Sequence, residues 1–399
     1  MEQVLYKLPD GWEWMQLGEA LDVRDGTHDS PKYVESGFPL VTSKNITGKG
    51  LDVQNVKYIS KEDFDAINKR SKVDVGDILF AMIGTIGFPT VITDEPNYAI
   101  KNVALFKKRQ DDQNMDFFKY FLESPYAIES MLAQAKGAAQ KFVGLKVLRS
   151  FNVPLPPKVE QKRIVEKLDA LLTRIDTAIE HLQQSVTLAD ALYASELASV
   201  FSSGQDKWPL RELNEVAEVA RGKSKHRPRN DKSLFGGEYP FIQTGDVRGA
   251  QKYITNFSAT YNEKGLQQSK LWPKDTICLT IAANIGDVAI LGMDACFPDS
   301  VVGISSSELE TDYLYYFLTT LQQQLDSKAN AAAQKNINLK ILSEIKIPVP
   351  SLDEQKSIVR QINEIDRLAV KAKAEISEKI TTMQQLKASI LDSAFKGEL

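Results

Sequence analysis

From Leu168 onward the chain places apolar side chains at Leu168, Leu172, Ile175, Ile179, Leu182, Val186, Ala189 and Tyr193, an alternation of four and three. That spacing holds one seam on one side of a helix and predicts a coiled-coil partner. No Gly or Pro interrupts Val159 to Val200, so the helix is expected to run for about 40 residues, roughly 60 Å. A second stripe, Ile358, Ile362, Ile365, Ala369, Ala372, Ile376, Ile380, Met383, Leu386 and Ile390, lies nearer the 3.6-residue period, whereas a strict heptad would put Lys373 and Lys387 inside. A stripe that long on a lone helix has nothing to bury against, so the simplest partner for each helix is the other.

Ahead of each helix the pattern shortens. Phe38–Ser43 (FPLVTS), Asp77–Gly84 (DILFAMIG) and Thr90–Asp94 (TVITD) read as strands between Gly, Asn and Asp turns, followed by a helical stretch over Asp116–Ala135. The second half echoes this with Tyr239–Val247, Asp275–Gly286 and Asp287–Leu291 as strands and Thr311–Ala329 as its late helix. The echo is a repeat at a shift of 194 residues: Ala138–Val165 lies over Ala332–Val359 with 14 of 28 positions identical. Looser pairs extend it, among them Ile83–Gly87 (IGTIG) over Ala282–Gly286 (AANIG). Pro154, Pro156 and Pro157 in one half, and Pro348 and Pro350 in the other, end the preceding structure and mark where each helix begins. Ser351 and Glu354 add the spacing of a capping box.

Composition bounds the class. With 399 residues, 43% apolar, the chain is long enough for about two to three packed domains. A net charge of −4 excludes a protein that coats nucleic acid by its overall field. Two cysteines, Cys278 and Cys296, exclude a disulfide framework or a cysteine-built zinc site. The N-terminal stretch lacks an apolar signal region and no run of about 18 apolar residues occurs, so a cytoplasmic location is expected. The three histidines, His28, His181 and His226, are too scattered for a metal motif, and the Arg221–Ser224 step lacks the first glycine of a phosphate loop. Neither a catalytic constellation nor a metal site is expected. The acids of the two Glu-Gln-Lys steps, Glu160 and Glu354, fall in first helical turns, where the helix dipole explains them.

Charge is local rather than global. Residues 1–157 and 158–203 each carry −2, and 204–350 and 351–399 each balance at zero. Yet Arg221, Lys223, Lys225, Arg227, Arg229 and Lys232 crowd into twelve residues around His226 with only Asp231 opposing. That composition suits phosphate and base-edge contact as well as a solvated loop. The first half offers Thr27, His28, Ser30 and Lys32, then Lys44 and Asn45, small polar groups of the kind that read base edges. The repeated Gln-Lys pairs bring Lys141 and Lys335 into candidate phosphate contact, with a shared fold element as the competing explanation.

The tandem plan resembles the DNA specificity subunits of type I restriction-modification systems. Leu8-Pro9-Asp10-Gly11-Trp12, the two Pro-x-Pro segments running into Glu-Gln-Lys-x-Ile-Val, and the closing Leu391–Leu399 (LDSAFKGEL) carry the resemblance. It implies an α+β chain with two α/β target recognition domains, 1–157 and 204–350. Each is followed by a conserved spacer helix, 158–203 and 351–399, and the two helices pack as an antiparallel coiled coil in a pseudo-twofold tandem repeat. The expected coiled-coil residues are Leu168, Leu172, Ile175, Ile179, Leu182 and Val186 with Ile362, Ile365, Ile376, Ile380, Met383 and Ile390. The resemblance further implies double-stranded DNA as ligand, a bipartite target with one half-site per domain, and no catalysis by this chain. Two methyltransferase subunits using S-adenosylmethionine and ATP- and Mg-dependent translocase and nuclease subunits would be partners, with no membrane involved. The rivals are a methylation-only or other restriction system, a self-contained enzyme, and a coiled-coil scaffold that binds no DNA. The repeat is imperfect where the first helix ends, Ser199–Gly204 against Ser393–Gly397, which bears on equal helix length.

Overall fold

The computed structural model describes residues 3–137, 141–204, 207–226, 228, 230–282, 285–322 and 338–399. It resolves into two compact units, Met1–Gln183 with Ser377–Leu399, and Gln184–Ile376.

In the first unit the strands are β1 (Glu13–Gln16), β2 (Asp22–Asp25), β3 (Tyr33–Val34), β4 (Phe38–Thr42), β5 (Ile46–Thr47), β6 (Gly50–Leu51), β7 (Lys57–Ile59), β8 (Ile78–Ala81), β9 (Gly87–Val91), β10 (Ala99–Lys101), β11 (Val103–Lys107) and β12 (Asn152–Leu155). They form one sheet in the order β2-β11-β8-β9, a second in the order β10-β4-β7-β3, and the small pairs β1-β12 and β5-β6. β8 and β11 read as unbroken apolar runs because both faces are covered, with successive side chains going to opposite cores. Phe80 and Phe106 face a cluster with Phe117, Phe118 and Phe121, while Leu79, Ala81, Val103 and Leu105 face Val41 and Ile100 on the other side. Each such fully buried side chain stabilises by about 1.5–3 kcal/mol.

The helical stretch expected over Asp116–Ala135 is two helices, Met115–Glu123 and Pro125–Gln134. Pro125 cannot continue the first, and Ser124 caps the second by accepting from the Ala127 amide. Two strand expectations also shift. The β9 strand begins at Gly87, ahead of Thr90, and Tyr239–Val247 divides into strand β15 (Phe235–Phe241) and a helical turn Thr244–Gly249.

The second unit continues with β13 (Leu210–Glu212), β14 (Glu218–Arg221), β15, β16 (Tyr253–Ile254), β17 (Ala259–Tyr261), β18 (Ile277–Thr280), β19 (Val288–Leu291), β20 (Val301–Ser305) and β21 (Lys346–Pro348). Its main sheet runs β14-β20-β18-β19-β16, with pairs β13-β21 and β15-β17 beside it. The helix expected over Thr311–Ala329 is described as Thr311–Thr320.

The long helices run Lys158–Gly204 and Leu352–Phe395. Ser351 and Glu354 form the capping box of the second, Ser351 N–H donating to Glu354 Oε2 at 3.0 Å and Glu354 N–H to Ser351 Oγ at 3.4 Å. One junction is built twice. Gln161 Nε2 donates to the Pro156 carbonyl at 2.9 Å and Gln355 Nε2 to the Pro350 carbonyl at 3.0 Å, and both glutamines are buried. Each amide thereby satisfies a carbonyl that the prolines leave without a helical partner. The glutamine shared by the two Glu-Gln-Lys segments is thus explained by a turn. Each domain also presses a late helix on its long helices through one Phe. Phe395 lies edge-on to Phe117 and Phe121, both at 5.3 Å, and Phe201 lies 5.3 Å from Tyr313 and 5.5 Å from Phe317. A tyrosine completes the junction: Tyr120 donates to Asp169 and Tyr316 to Asn363. Burial first, and then the Asp169 carboxylate, push the Tyr120 hydroxyl well above its usual range.

Within each unit the long helices run antiparallel. In the first, Leu168, Leu172 and Ile175 are buried with Leu391 and Phe395, and Ile179, Met383 and Ile390 pack at the edge of that cluster. Leu182, Val186, Ile365, Ile376 and Ile380 are half-buried, and Ile362 is buried in the second unit. The second helix follows a strict heptad, contrary to the 3.6-residue reading: Leu386 is 47% exposed and Ala372 is exposed, while Lys373 and Lys387 take seam positions. They do so because aspartates meet them. Lys387 Nζ lies 2.9 Å from Asp176 Oδ1 in the first unit, and Lys373 Nζ lies 2.7 Å from Asp190 Oδ1 in the second.

Candidate nucleic-acid interface

In the first domain the parallel pairing of β10 with β4 brings two loops to one edge. The loop after β2 is fastened there: Thr27 N–H donates to the Ile100 carbonyl at 3.0 Å, and the Asn102 N–H to the Thr27 carbonyl at 3.1 Å. Asn102 turns the chain between β10 and β11 at φ 54°, a left-handed conformation that Asn tolerates better than most residues. Its Oδ1 lies 2.8 Å from His28 Nδ1, and His28 Nε2 lies 2.9 Å from the buried Asp25 carboxylate. Arg70 Nη2 donates to the other Asp25 oxygen at 2.7 Å. His28 is therefore exposed yet held at both ring nitrogens, by Asn102 and by Asp25.

The Ser43–Asn45 turn joins the same edge, since Ser43 Oγ donates to the Asn102 carbonyl at 2.6 Å. Asn45 is a latch inside that turn. Its Oδ1 accepts from the Thr42 amide at 2.9 Å and hydroxyl at 2.8 Å, its Nδ2 donates to the Asn55 carbonyl at 2.9 Å, and it is buried. Lys44 beside it is exposed and lines an open cavity of about 360 Å³ with Tyr33, Lys57, Ile83 and Asn102. Lys57 Nζ lies 4.3 Å from the Tyr33 ring centre. Ser30 accepts from Lys101, and Lys32 is exposed. Lys141, also exposed, is tied in by its carbonyl, which accepts from Gly84 N–H at 2.9 Å. The structure thus gathers Thr27, His28, Ser30 and Lys44 on one rim, with Asn45 as its internal support. It adds Lys57, Lys101 and Asn102, for which the sequence carries only the weak signal of an Asn turn between two strands.

In the second domain the basic loop leaves β14 at Arg221. Gly222 is required there, because a Cβ would lie 2.3 Å from the Phe297 carbonyl oxygen and 2.4 Å from that of Pro298. Three ties hold the loop: Ser269 Oγ donates to the Lys223 carbonyl at 2.8 Å, His226 N–H to Gln268 Oε1 at 3.0 Å, and His226 Nε2 lies 2.8 Å from Asp231 Oδ2. Hydrogen bonds from Ser233, with His226 behind them, hold the Asp231 carboxyl down at about 2. Arg221, Lys223 and Lys225 are exposed along this loop. Arg227, Arg229 and Lys335 lie outside the described residues. Among the described residues no group of three His, Cys, Asp or Glu is placed to hold a metal ion, and no helix is long and apolar enough to cross a membrane.

Two heads of one build, each with exposed amines on anchored polar loops, define a tandem recognition protein. Comparison agrees. The family described as type I restriction modification DNA specificity domain matches residues 9–188 and again 205–382, and the chain belongs to that family. It is similar to the type I restriction enzyme EcoBI specificity subunit of Escherichia coli, 25% identical over 353 residues that cover 81% of this chain and 73% of that one. The EcoKI specificity subunit of Escherichia coli K12 is 20% identical over 98% of this chain and 90% of its own length. A chain from a structure of type I R-M system assembly and conformational transition shares the fold, with a TM-score of 0.77, 22% identity, and coverage of 99% of this chain and 100% of that one. The HsdS subunit from Thermoanaerobacter tengcongensis gives a TM-score of 0.55 at 22% identity, with both chains covered in full.

Proposed function

We propose that the chain reads a bipartite duplex DNA target, one half-site per domain, and directs adenine methylation and DNA cleavage by partner subunits while performing no chemistry itself. The observation that carries this reading is the contrast between the two halves. Their helix junctions repeat the same glutamine-to-proline-carbonyl bond at Gln161 and Gln355, whereas their anchored loops differ: a histidine, serine and lysine rim in one, a run of arginines and lysines in the other. One frame carrying two unlike surfaces is what reading two unlike half-sites requires.

The named contacts are Thr27, His28, Ser30, Lys32 and Lys44 in the first domain, with Lys141 near phosphate. In the second they are Arg221, Lys223, Lys225, His226, Arg227 and Arg229, with Lys335 near phosphate. Exposed amines supply the sequence-independent, salt-sensitive part of affinity, and the polar rims supply discrimination at base edges. Methyltransferase subunits carrying S-adenosylmethionine, and a nuclease-translocase using ATP and Mg²⁺, bring the reactions. Exposed apolar side chains on the long helices, such as Leu188 and Leu192, suit docking of the methyltransferase subunits.

The test is methylome sequencing of a host without other adenine methyltransferases, expressing this chain with the methyltransferase subunit encoded beside it. A two-part motif with N6-methyladenine in both parts and a fixed gap is expected. A soluble complex that produces no motif would overturn the reading.

A further inference from the structure

Phe88 combines three features that packing alone does not call for. Its backbone is left-handed, at φ 53°, in the residue immediately before Pro89. That region is sterically costly for a bulky side chain, and a following proline restricts it further. Its ring is turned outward: Phe88 is 40% exposed, although Gly87 and Pro89 on either side are buried. And the strand bulges to place it there. β8 and β9 pair Leu79 with Thr90 and then Ala81 with Gly87, so between those pairs the single residue Phe80 of β8 faces Phe88 and Pro89 of β9, and Phe88 falls within the excess. Thr90 Oγ1 donates to the Phe88 carbonyl at 3.1 Å and braces the bulge. Strain of this kind persists only where the surrounding structure enforces it, and it gathers at sites of function.

The surroundings indicate which function. The β5-β6 hairpin lies against the ring, and a Cβ on Gly48 would come within 3.3 Å of Phe88 Cε1, so glycine there leaves the ring clear. Exposed Lys49 lies in the turn of that hairpin, and exposed Lys44 in the Ser43–Asn45 turn that precedes it. Lys141 is bound through its carbonyl to Gly84, in the turn that leads to Phe88. An aromatic edge presented among amines, on a rim that also carries Ser43 and Lys44, has the chemistry of a side chain that enters a base step while the amines hold the backbone.

We infer that Phe88 is a wedge that unstacks one base step of the half-site read by the first domain. The inference rests on the DNA-reading function proposed above. At the equivalent position the second domain carries no aromatic. The repeat puts Asp287 where Phe88 stands; the chain is irregular there too, Gly286 N–H and the Asp287 carbonyl both bonding Thr280 with Gly286 at φ 88°, but the residue presented is a carboxylate whose Oδ1 accepts from Gln322 Nε2 at 3.0 Å. Distortion is therefore confined to one half-site, and the protein gains discrimination from how readily that step deforms, at positions its polar groups never touch.

The test uses the complex with its methyltransferase subunits, on duplexes of the methylated motif carrying 2-aminopurine at single positions through each half-site. Away from the two target adenines, which the methyltransferase subunits themselves flip out of the stack, the wild-type complex should raise fluorescence several-fold at one step of the first domain's half-site and at none in the other. Phe88→Gly should abolish that rise and weaken target binding by roughly 5- to 100-fold. It should leave the melting midpoint unchanged or higher, because glycine adopts the left-handed conformation freely. Phe88→Tyr should keep the rise. A Phe88→Gly protein that melts lower and leaves the fluorescence as it was makes Phe88 a packing residue and overturns the wedge, as does bound DNA showing no unstacked step. A wild-type complex that fails to bind the motif overturns the DNA reading as well, and is told apart by the absence of binding.

Discussion

Reversing the charge of Lys387 tests whether the antiparallel seam of the first unit is locked by charge. Its ammonium lies 2.9 Å from Asp176 Oδ1 and 3.7 Å from Glu123 Oε1, with the lysine side chain 25% exposed and the two acids 54% and 31% exposed. At that exposure each attraction contributes about 0.2–1 kcal/mol. Lys387→Glu removes both and substitutes two repulsions of similar size, so the expected loss is about 1–4 kcal/mol. For a unit of this size that corresponds to a fall in melting midpoint of roughly 2–15 °C. The loss should shrink as salt rises, since partly exposed charges are screened. Adding Asp176→Lys should restore part of the midpoint, though not all, because Glu123 still faces the new carboxylate. Hydrogen exchange should localise the change to Leu168–Ile179 and Met383–Ile390. The reasoning fails if Lys387→Glu melts within a degree of wild type, or if Asp176→Lys gives no recovery.

Gln161→Ala and Gln355→Ala should each cost about 1–3 kcal/mol, seen as a lower urea midpoint, because each strands a buried proline carbonyl. Lys44→Ala and Lys225→Ala should lower affinity for all DNA sequences alike and reduce the slope of log affinity against log salt by about one each. Asp231, held at about 2 against an ordinary 3.8, contributes stability that is complete above the ordinary value and lost as pH falls through 2. The difference in urea midpoint between wild type and Asp231→Asn should therefore be constant from pH 7 to 5 and shrink below about pH 4.

How much could be read in advance depended on whether the cause was local. Helix starts were legible because proline and a serine cap act within a few residues, and the repeat was legible because its junction demands the same groups twice. The first heptad was legible because all its seam residues are apolar. The second was not: Lys373 and Lys387 look misplaced until Asp190 and Asp176, some two hundred residues earlier, supply the counter-charge. Asn45 and Lys44 are neighbours with equal claim on composition, yet one points inward to Thr42 and the other outward. Facing is set by the turn, which composition does not encode. Asn102, which ties His28 and Ser43 to one edge, is a lone Asn between two strands and becomes legible only once β10 is seen beside β4.

The division of labour among these residues bears on how such a chain changes what it reads. The groups that build the rims, Asn45, Asp25, Gly222 and Asp231, are held by backbone or by neighbouring side chains, and substituting them disturbs the loop before it alters any contact. The groups that face outward, Lys44, Arg221, Lys223 and Lys225, are exposed, and surface substitutions of that kind typically cost within about 0.5 kcal/mol. The stability of the frame and the chemistry of the reading surface are thus carried by different side chains. Exchanging outward residues on one domain should alter one half of the target and leave the other half, and the fold, as they were. Phe88 is the exception: it is outward-facing, yet its backbone strain charges the frame for its position. It should therefore be the position in the first domain where a change in reading and a gain in stability arrive together.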